Sequence, residues 1–287
     1  MGAKPGPTLR AQWLGKQLNE LRSAAGMTLK QAGEYLQRDT STVSRFESGE
    51  YPVRRPDLLA LLDFYQVTSK RKREVLIALH EDAWQQGWWD DFADDVDQKL
   101  IDYVWLESRS TEIRSFDCTL LNGLLQTEDY ARALISGASP TADQAQLDRW
   151  VELRMSRMAL LDRPRPPKIS VVMDEVLLHR EVGGRQVLAG QLAHLVELAE
   201  RPNIEIRLLR YSAGALPSQV VVPFKLLLAG EPYPAVGYIE TLAGNLYVEP
   251  PKTQRFAEVY DQLVAAALGP EETIRVIART AEEKACR

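Results

Sequence analysis

At 287 residues with 45 % hydrophobic composition, the chain can bury a sizeable core and is more natural for two domains than for one. Its net charge of −5 hides an asymmetry: residues 1–80 carry 13 Lys and Arg against 8 Asp and Glu, leaving 22 against 32 for the remainder, a basic head on an acidic body. Only Cys118 and Cys286 occur, far apart and without metal-ligand neighbours, which supports neither a disulfide framework nor a zinc site and points to buried or idle thiols.

In chain order, Trp13, Leu14, Leu18 and Leu21 recur at helical spacing, Gly26 stops the run, and Thr28 can cap a second helix from about Leu29 to Leu36. After Gln37-Arg38-Asp39 a third helix begins near Thr40, with Asp39 as its cap, Val43 and Phe46 on one face and Gly49 as its end. Pro52 and Pro56 fence a connection, Leu58, Leu59, Leu61, Leu62 and Phe64 predict a fourth helix, and Lys70–Trp84 a fifth. The basic run Lys70-Arg71-Lys72-Arg73 reads as a solvated helix start. These five helices predict a compact all-α domain over 1–82.

Between Glu81 and Asp102 eight acidic residues face the single base Lys99, so 83–110 is expected to be an acidic, Trp-rich connecting segment. Trp84, Trp88 and Trp89 would form a domain-interface cluster there or floor a ligand pocket. Beyond it, strand-like runs (Ile113–Leu120, Ile169–Met173, Ile204–Leu209, Val220–Leu228, Ala235–Thr241) alternate with helical ones (Thr127–Ile135, Ala142–Leu161, Arg185–Glu200, Thr253–Leu268). This predicts a larger mixed α/β domain over 111–287, and the fold class is α/β, multi-domain. No apolar run approaches the roughly 20 residues of a membrane span. The start MGAKPGPTLR has no apolar signal core and puts Gly6 where a myristoylation motif wants Ser or Thr, so a cytoplasmic protein is expected.

The third helix raises the functional question. DTSTVSRFESGE divides into an inner face of Val43 and Phe46 and an outer face of Thr40, Ser41, Ser44 and Arg45, side chains short enough to let a helix approach the floor of a major groove. Arg45 alone there can make a bidentate contact with guanine. A plain solvated helix has the same composition, so spacing has to decide. TLKQAGEYLQRDTSTVSRFESGE resembles the helix-turn-helix of the Xre and phage-repressor family, including its Ser44-Arg45-Phe46-Glu47-Ser48-Gly49 close. Gln37 stands where that family has its turn glycine.

The resemblance implies DNA contacts from Thr28, Lys30, Thr40, Ser41, Thr42, Ser44, Arg45 and Ser48, and a structural pair of Arg22 with Glu47. It also implies phosphate contacts from Arg54 and Arg55, whose alternative role is solubility. Further on, Gly87-Trp88-Trp89, GLLQTEDYARALI, MDEVLLHREVGG and YIETLAGNLYVE make the chain similar, along nearly its full length, to actinobacterial WhiJ-like regulators. These are antitoxin-like transcriptional regulators of development and secondary metabolism, encoded beside a small partner protein.

An enzyme is the rival from another class. His80, His179 and His194 are the only histidines, no nucleophile motif accompanies them, and Gly183-Gly184 lacks phosphate-loop spacing. Asp174 and Glu175, with His179 four residues on, are the best acid–base candidates, although a helix start capped by its own carboxylates explains them and is preferred. The expectation is a DNA-binding regulator with no catalytic residue, metal or cofactor. It would act on a double-stranded operator as a homodimer, with its C-terminal domain binding a small partner protein or an effector. A protein whose main task is to neutralise a toxin-like partner is the other rival.

Overall fold

The computed structural model describes residues 6–215 and 222–286, and the chain divides into two compact units, Met1–Tyr103 and Val104–Arg287. In the first, α1 (Leu9–Ala24), α2 (Leu29–Leu36), α3 (Thr40–Ser48), α4 (Arg55–Phe64) and α5 (Lys70–Trp84) follow one another. Local chemistry sets their ends. The Thr28 hydroxyl accepts from the Gln31 backbone N–H, and the Gln31 side chain accepts from the Thr28 N–H at 2.8 Å, a capping box whose hydroxyl contributes about 1 kcal/mol. Gln37 takes the left-handed conformation at φ 54° and ψ 45°, so the tight turn keeps the form that a glycine would give it, at a steric cost of roughly 1–2 kcal/mol.

The apolar stripes of these helices converge on Leu18, Ala32, Val43, Leu58 and Leu62, all with no exposed surface. Truncating one such leucine to alanine should cost about 2–5 kcal/mol. Gly15 sets the closest approach: a Cβ at that position would stand 2.5 Å from the Glu47 carbonyl oxygen, so α1 meets the end of α3 backbone to backbone.

The acidic stretch contains more order than its composition suggests. α6 (Gln98–Arg109) buries Ile101, Tyr103, Val104, Trp105 and Leu106, an apolar stripe that the surrounding carboxylates mask in sequence. The three tryptophans form no single cluster. Trp84 is 52 % exposed and donates its Nε1–H to the Val53 carbonyl at 3.2 Å, whereas Trp89 is buried and meets Trp88 edge to face. The thiols also differ from one another, Cys118 being half-buried and Cys286 exposed.

Among the described residues the second unit is built on a six-stranded mixed sheet of β1 (Glu112–Asp117), β2 (Lys168–Asp174), β3 (Ile204–Leu209), β4 (Phe224–Leu228), β5 (Val236–Thr241) and β6 (Gly244–Val248), in the order β3-β2-β1-β4-β5-β6. β1, β2 and β3 run parallel, while β4, β5 and β6 alternate in direction from β1 outward. One face buries Phe116, Val172 and Phe224 against Val259, Tyr260 and Leu263 of α10 (Thr253–Ala266), and Tyr260 donates its hydroxyl to Ser170 Oγ at 2.8 Å. The opposite face aligns Ser115, Lys225 and Tyr238 across three strands. Between the strands run α7 (Glu128–Ala138), α8 (Gln144–Ser156) and α9 (Arg185–Leu198), and α11 (Pro270–Ala285) closes the unit. Fully buried Gln191 of α9 accepts from the Thr127 N–H and donates to the Leu125 carbonyl, both at 2.7 Å.

Three departures from the sequence reading have local causes. The helical run Ala142–Leu161 is α8 followed by a 3₁₀ segment, Arg157–Asp162, because Arg157 turns inward to a bidentate pair with Glu107 at 2.7 and 2.8 Å. β1 stops at Asp117 rather than Leu120, and β6 is an additional strand that pairs with β5 through a two-residue turn, Leu242-Ala243. Val220 and Val221 of the run Val220–Leu228 lie outside the described residues. Among the described residues no helix is long and apolar enough to cross a membrane.

Candidate nucleic-acid interface

α3 presents two chemically distinct faces. Val43 and Phe46 are 0 % and 2 % exposed, whereas Thr40, Ser41, Ser44, Arg45 and Ser48 are exposed and Thr42 is half-buried. Gly49, at φ +75°, ends the helix. Asp39 occupies the N-cap position but its side chain makes no cap hydrogen bond, which corrects the reading of Asp39 as a capping residue. Asp39 instead borders an open groove of about 520 Å³ that Arg38, Arg45 and Arg54, together with Glu34 and Asp57, also line. The exposed first turn of α3 therefore has backbone N–H groups left for water or another acceptor.

The helix is held from behind. Arg22 donates through Nε and Nη2 to the two Glu47 oxygens at 2.6 and 2.8 Å, Asn19 Nδ2 reaches the same carboxylate at 2.6 Å, and Arg22 Nη1 donates to the Met27 carbonyl at 2.9 Å. Glu47 is only 6 % exposed and Arg22 13 %, and hydrogen bonding to Glu47 raises the Arg22 pKa above its ordinary value. This cluster fixes α3 to α1 at one end, while the close Gly15 contact fixes its backbone depth. Asn19 was not singled out from the sequence, because a surface-type residue on α1 gives no sign that it completes a bond to α3, two helices on.

The other anticipated residues fall into two groups. Arg45 and Arg54 are exposed and form no ion pair among the described residues. Arg55 stands 3.8 Å from Glu81 and Lys30 3.8 Å from Glu34, both loose exposed pairs, and Arg38 is 3.4 Å from Asp57. Exposed pairs of this kind contribute at most about 1 kcal/mol and exchange readily for phosphate. The Thr28 hydroxyl is engaged in capping α2, and the Ser48 hydroxyl donates to the Arg45 carbonyl at 3.2 Å.

The acid–base candidates have structural partners. Asp174 caps a 3₁₀ turn by accepting from the Val176 N–H at 2.9 Å, and Glu175 accepts from the Tyr211 N–H at 2.7 Å and from Arg210. His179 stacks on Tyr211, and the His80 ring contacts the Val53 carbonyl at 2.9 Å. Among the described residues no group of His, Cys, Asp and Glu is gathered to hold a metal.

Residues 100–279 match the family described as a domain of unknown function, DUF5753. The chain belongs to the DUF5753 family. Residues 13–76 match a helix-turn-helix domain, which covers α2, α3 and α4, most of α1 and the first part of α5. In this DUF5753 protein the helix-turn-helix domain supports a DNA-binding regulator. No curated protein and no solved structure matches the chain.

Proposed function

We propose that this protein is a sequence-specific transcriptional regulator that inserts α3 into the major groove of an operator. The observation that carries the reading is the division of α3. Its apolar side is sunk into the helical unit and anchored by Arg22 and Glu47, while Thr40, Ser41, Ser44 and Arg45 remain exposed. In this reading Arg45 contacts a base and Arg54, at the start of α4, contacts phosphate, with Arg55, Lys30, Thr28, Thr42 and Ser48 on the periphery of the footprint. One head buries too little surface for tight specific binding, so the working form is a homodimer on an inverted repeat. The division into a head over 1–82, a connecting segment over 83–110 and a regulatory domain over 111–287 belongs to the same proposal. So does an antitoxin-like, WhiJ-like role in development or secondary metabolism, in which the larger domain provides the dimer contact and docks a small partner protein.

The test is selection of preferred duplexes from a random library with the full chain, followed by titration of variants. Arg45→Ala should lose about 1–3 kcal/mol on the selected sequence and relax preference at one base pair, whereas Arg54→Ala should weaken all sequences alike and lower the salt slope by about 1. Failure to enrich any sequence, or an Arg45→Ala protein with unchanged preference, overturns the base-reading role.

A further inference from the structure

The second unit holds a cavity that the DNA reading does not use. β1 is the strand at which the sheet changes sense: β2 lies parallel on one side and β4 antiparallel on the other. Crevices outside the carboxyl end of such a strand are the usual ligand positions of α/β sheets. Here the crevice is a cavity of about 100 Å³. Side chains converge on it from separate elements: Asp117 from the end of β1, Lys225 from β4, Tyr238 and Glu240 from β5, and Arg154 and Arg157 from α8 and the segment after it. Leu120, Leu134 and Pro223 supply an apolar lip. Both arginines pack on Gly123, where a Cβ would stand 3.0 Å from Arg157 Nη2 and 3.4 Å from Arg154 Cδ.

The charges are graded by depth. Arg157 is matched by Glu107, which does not line the cavity. Arg154, half-buried, donates to the Gln126 side chain at 2.8 Å, and Lys225, also half-buried, lies on the sheet face beside Tyr238. Of the two carboxylates, Glu240 is exposed at the rim, and only Asp117 is interior, accepting from Ser115 Oγ at 3.0 Å. Burial pushes the Asp117 carboxyl up to about 7 and the Lys225 amine down. Both shifts reduce charge, so near neutrality the guanidinium groups of Arg154 and Arg157 stand beside an Asp117 carboxyl that is only partly ionised. Buried charge of this kind stabilises a fold poorly compared with apolar packing, and its convergence on an open cavity with an apolar lip is the arrangement of a ligand site.

We propose that this cavity binds a small monocarboxylate with a short apolar body, its carboxylate held by Arg154 and Lys225 and its body lying against Leu120, Leu134 and Pro223. The inference goes beyond the DNA reading and is tested without DNA.

Calorimetric titration of the full chain with hexanoate and benzoate, against hexanamide, benzamide and inorganic phosphate, decides it. Each carboxylate should bind about tenfold or more tighter than its amide, the size of one charge-assisted hydrogen bond, and tighter than phosphate. Anion binding favours the protonated forms of Asp117 and Lys225, while Arg154 and Arg157 stay charged and Glu240 lies at the solvated rim. Carboxylate affinity should therefore rise as pH falls from about 8 to about 6. Arg154→Gln should reduce the preference for carboxylate over amide to what Lys225 alone supplies, and Asp117→Asn should keep binding but flatten its pH dependence. Equal affinity for acid and amide, no binding of either, or phosphate binding as tightly as the carboxylates overturns the proposal on the wild-type chain alone, whatever the variants do.

Discussion

Removing the Glu47 carboxylate offers a sharp check on how the recognition helix is held. In Glu47→Ala, Arg22 loses two charge-assisted bonds and Asn19 one, and a guanidinium only 13 % exposed keeps just the Met27 carbonyl. Breaking a buried pair by deleting one partner costs roughly 3–5 kcal/mol, most of it the penalty of leaving the other charge stranded. For a unit of this size each kcal/mol shifts the midpoint by about 4–8 °C, so the helical unit should melt at least about 12 °C lower. Scanning calorimetry of the full chain measures this. The double variant Arg22→Met/Glu47→Leu supplies the control, because removing both charges should recover about half of the loss or more. A Glu47→Ala protein melting within a degree or two of wild type, or a double variant as unstable as the single, would refute the reasoning.

Gln37→Gly should stabilise the helical unit by up to about 1 kcal/mol in chemical denaturation, since the left-handed φ of 54° suits glycine; a loss of stability would show that the Gln37 side chain matters more than its backbone. Gly15→Ala drives a methyl group into the Phe46 and Glu47 carbonyls and should cost at least about 1–3 kcal/mol, together with weaker DNA binding read by titration. Glu107→Gln leaves Arg157, 5 % exposed, without its countercharge and should destabilise the larger unit by about 3–5 kcal/mol, seen as an earlier calorimetric transition. Burial holds the Asp102 carboxyl up at about 6 against an ordinary 3.8, so the native state binds more protons than the unfolded one between these values. Stability should thus fall as pH rises through that window, by at most about 3 kcal/mol, and Asp102→Asn should flatten the profile; a profile that Asp102→Asn leaves unchanged would refute the assignment.

The head was legible in sequence because its signals are local. Thr28 with Gln31, Gly49 after Phe46, and Val43 with Phe46 lie within one or two turns of each other, where capping and periodicity act. The helices α6 and α11 and the strand β6 were not read. Carboxylates obscure the stripe of α6, Leu242-Ala243 is not the Asn-Gly type of turn that announces a hairpin, and α11 begins at Pro270, which reads as a terminator unless it is placed in a first turn. The cavity in the larger unit was invisible for a different reason. Asp117, Arg154 and Lys225 are far apart in the chain, and only the sheet register and the placement of α8 bring them together.

The central position of β1 bears on the order in which the molecule is made. Its partner β4 lies far downstream, with Thr111 bonded to Leu228 across 117 residues, whereas the helical unit is assembled from neighbours in sequence. During synthesis the head can close as soon as it leaves the ribosome, while β1 has an unsatisfied edge until β4 has been translated. A nascent chain arrested before Phe224 should therefore carry a protease-resistant head followed by a protease-sensitive, aggregation-prone tail.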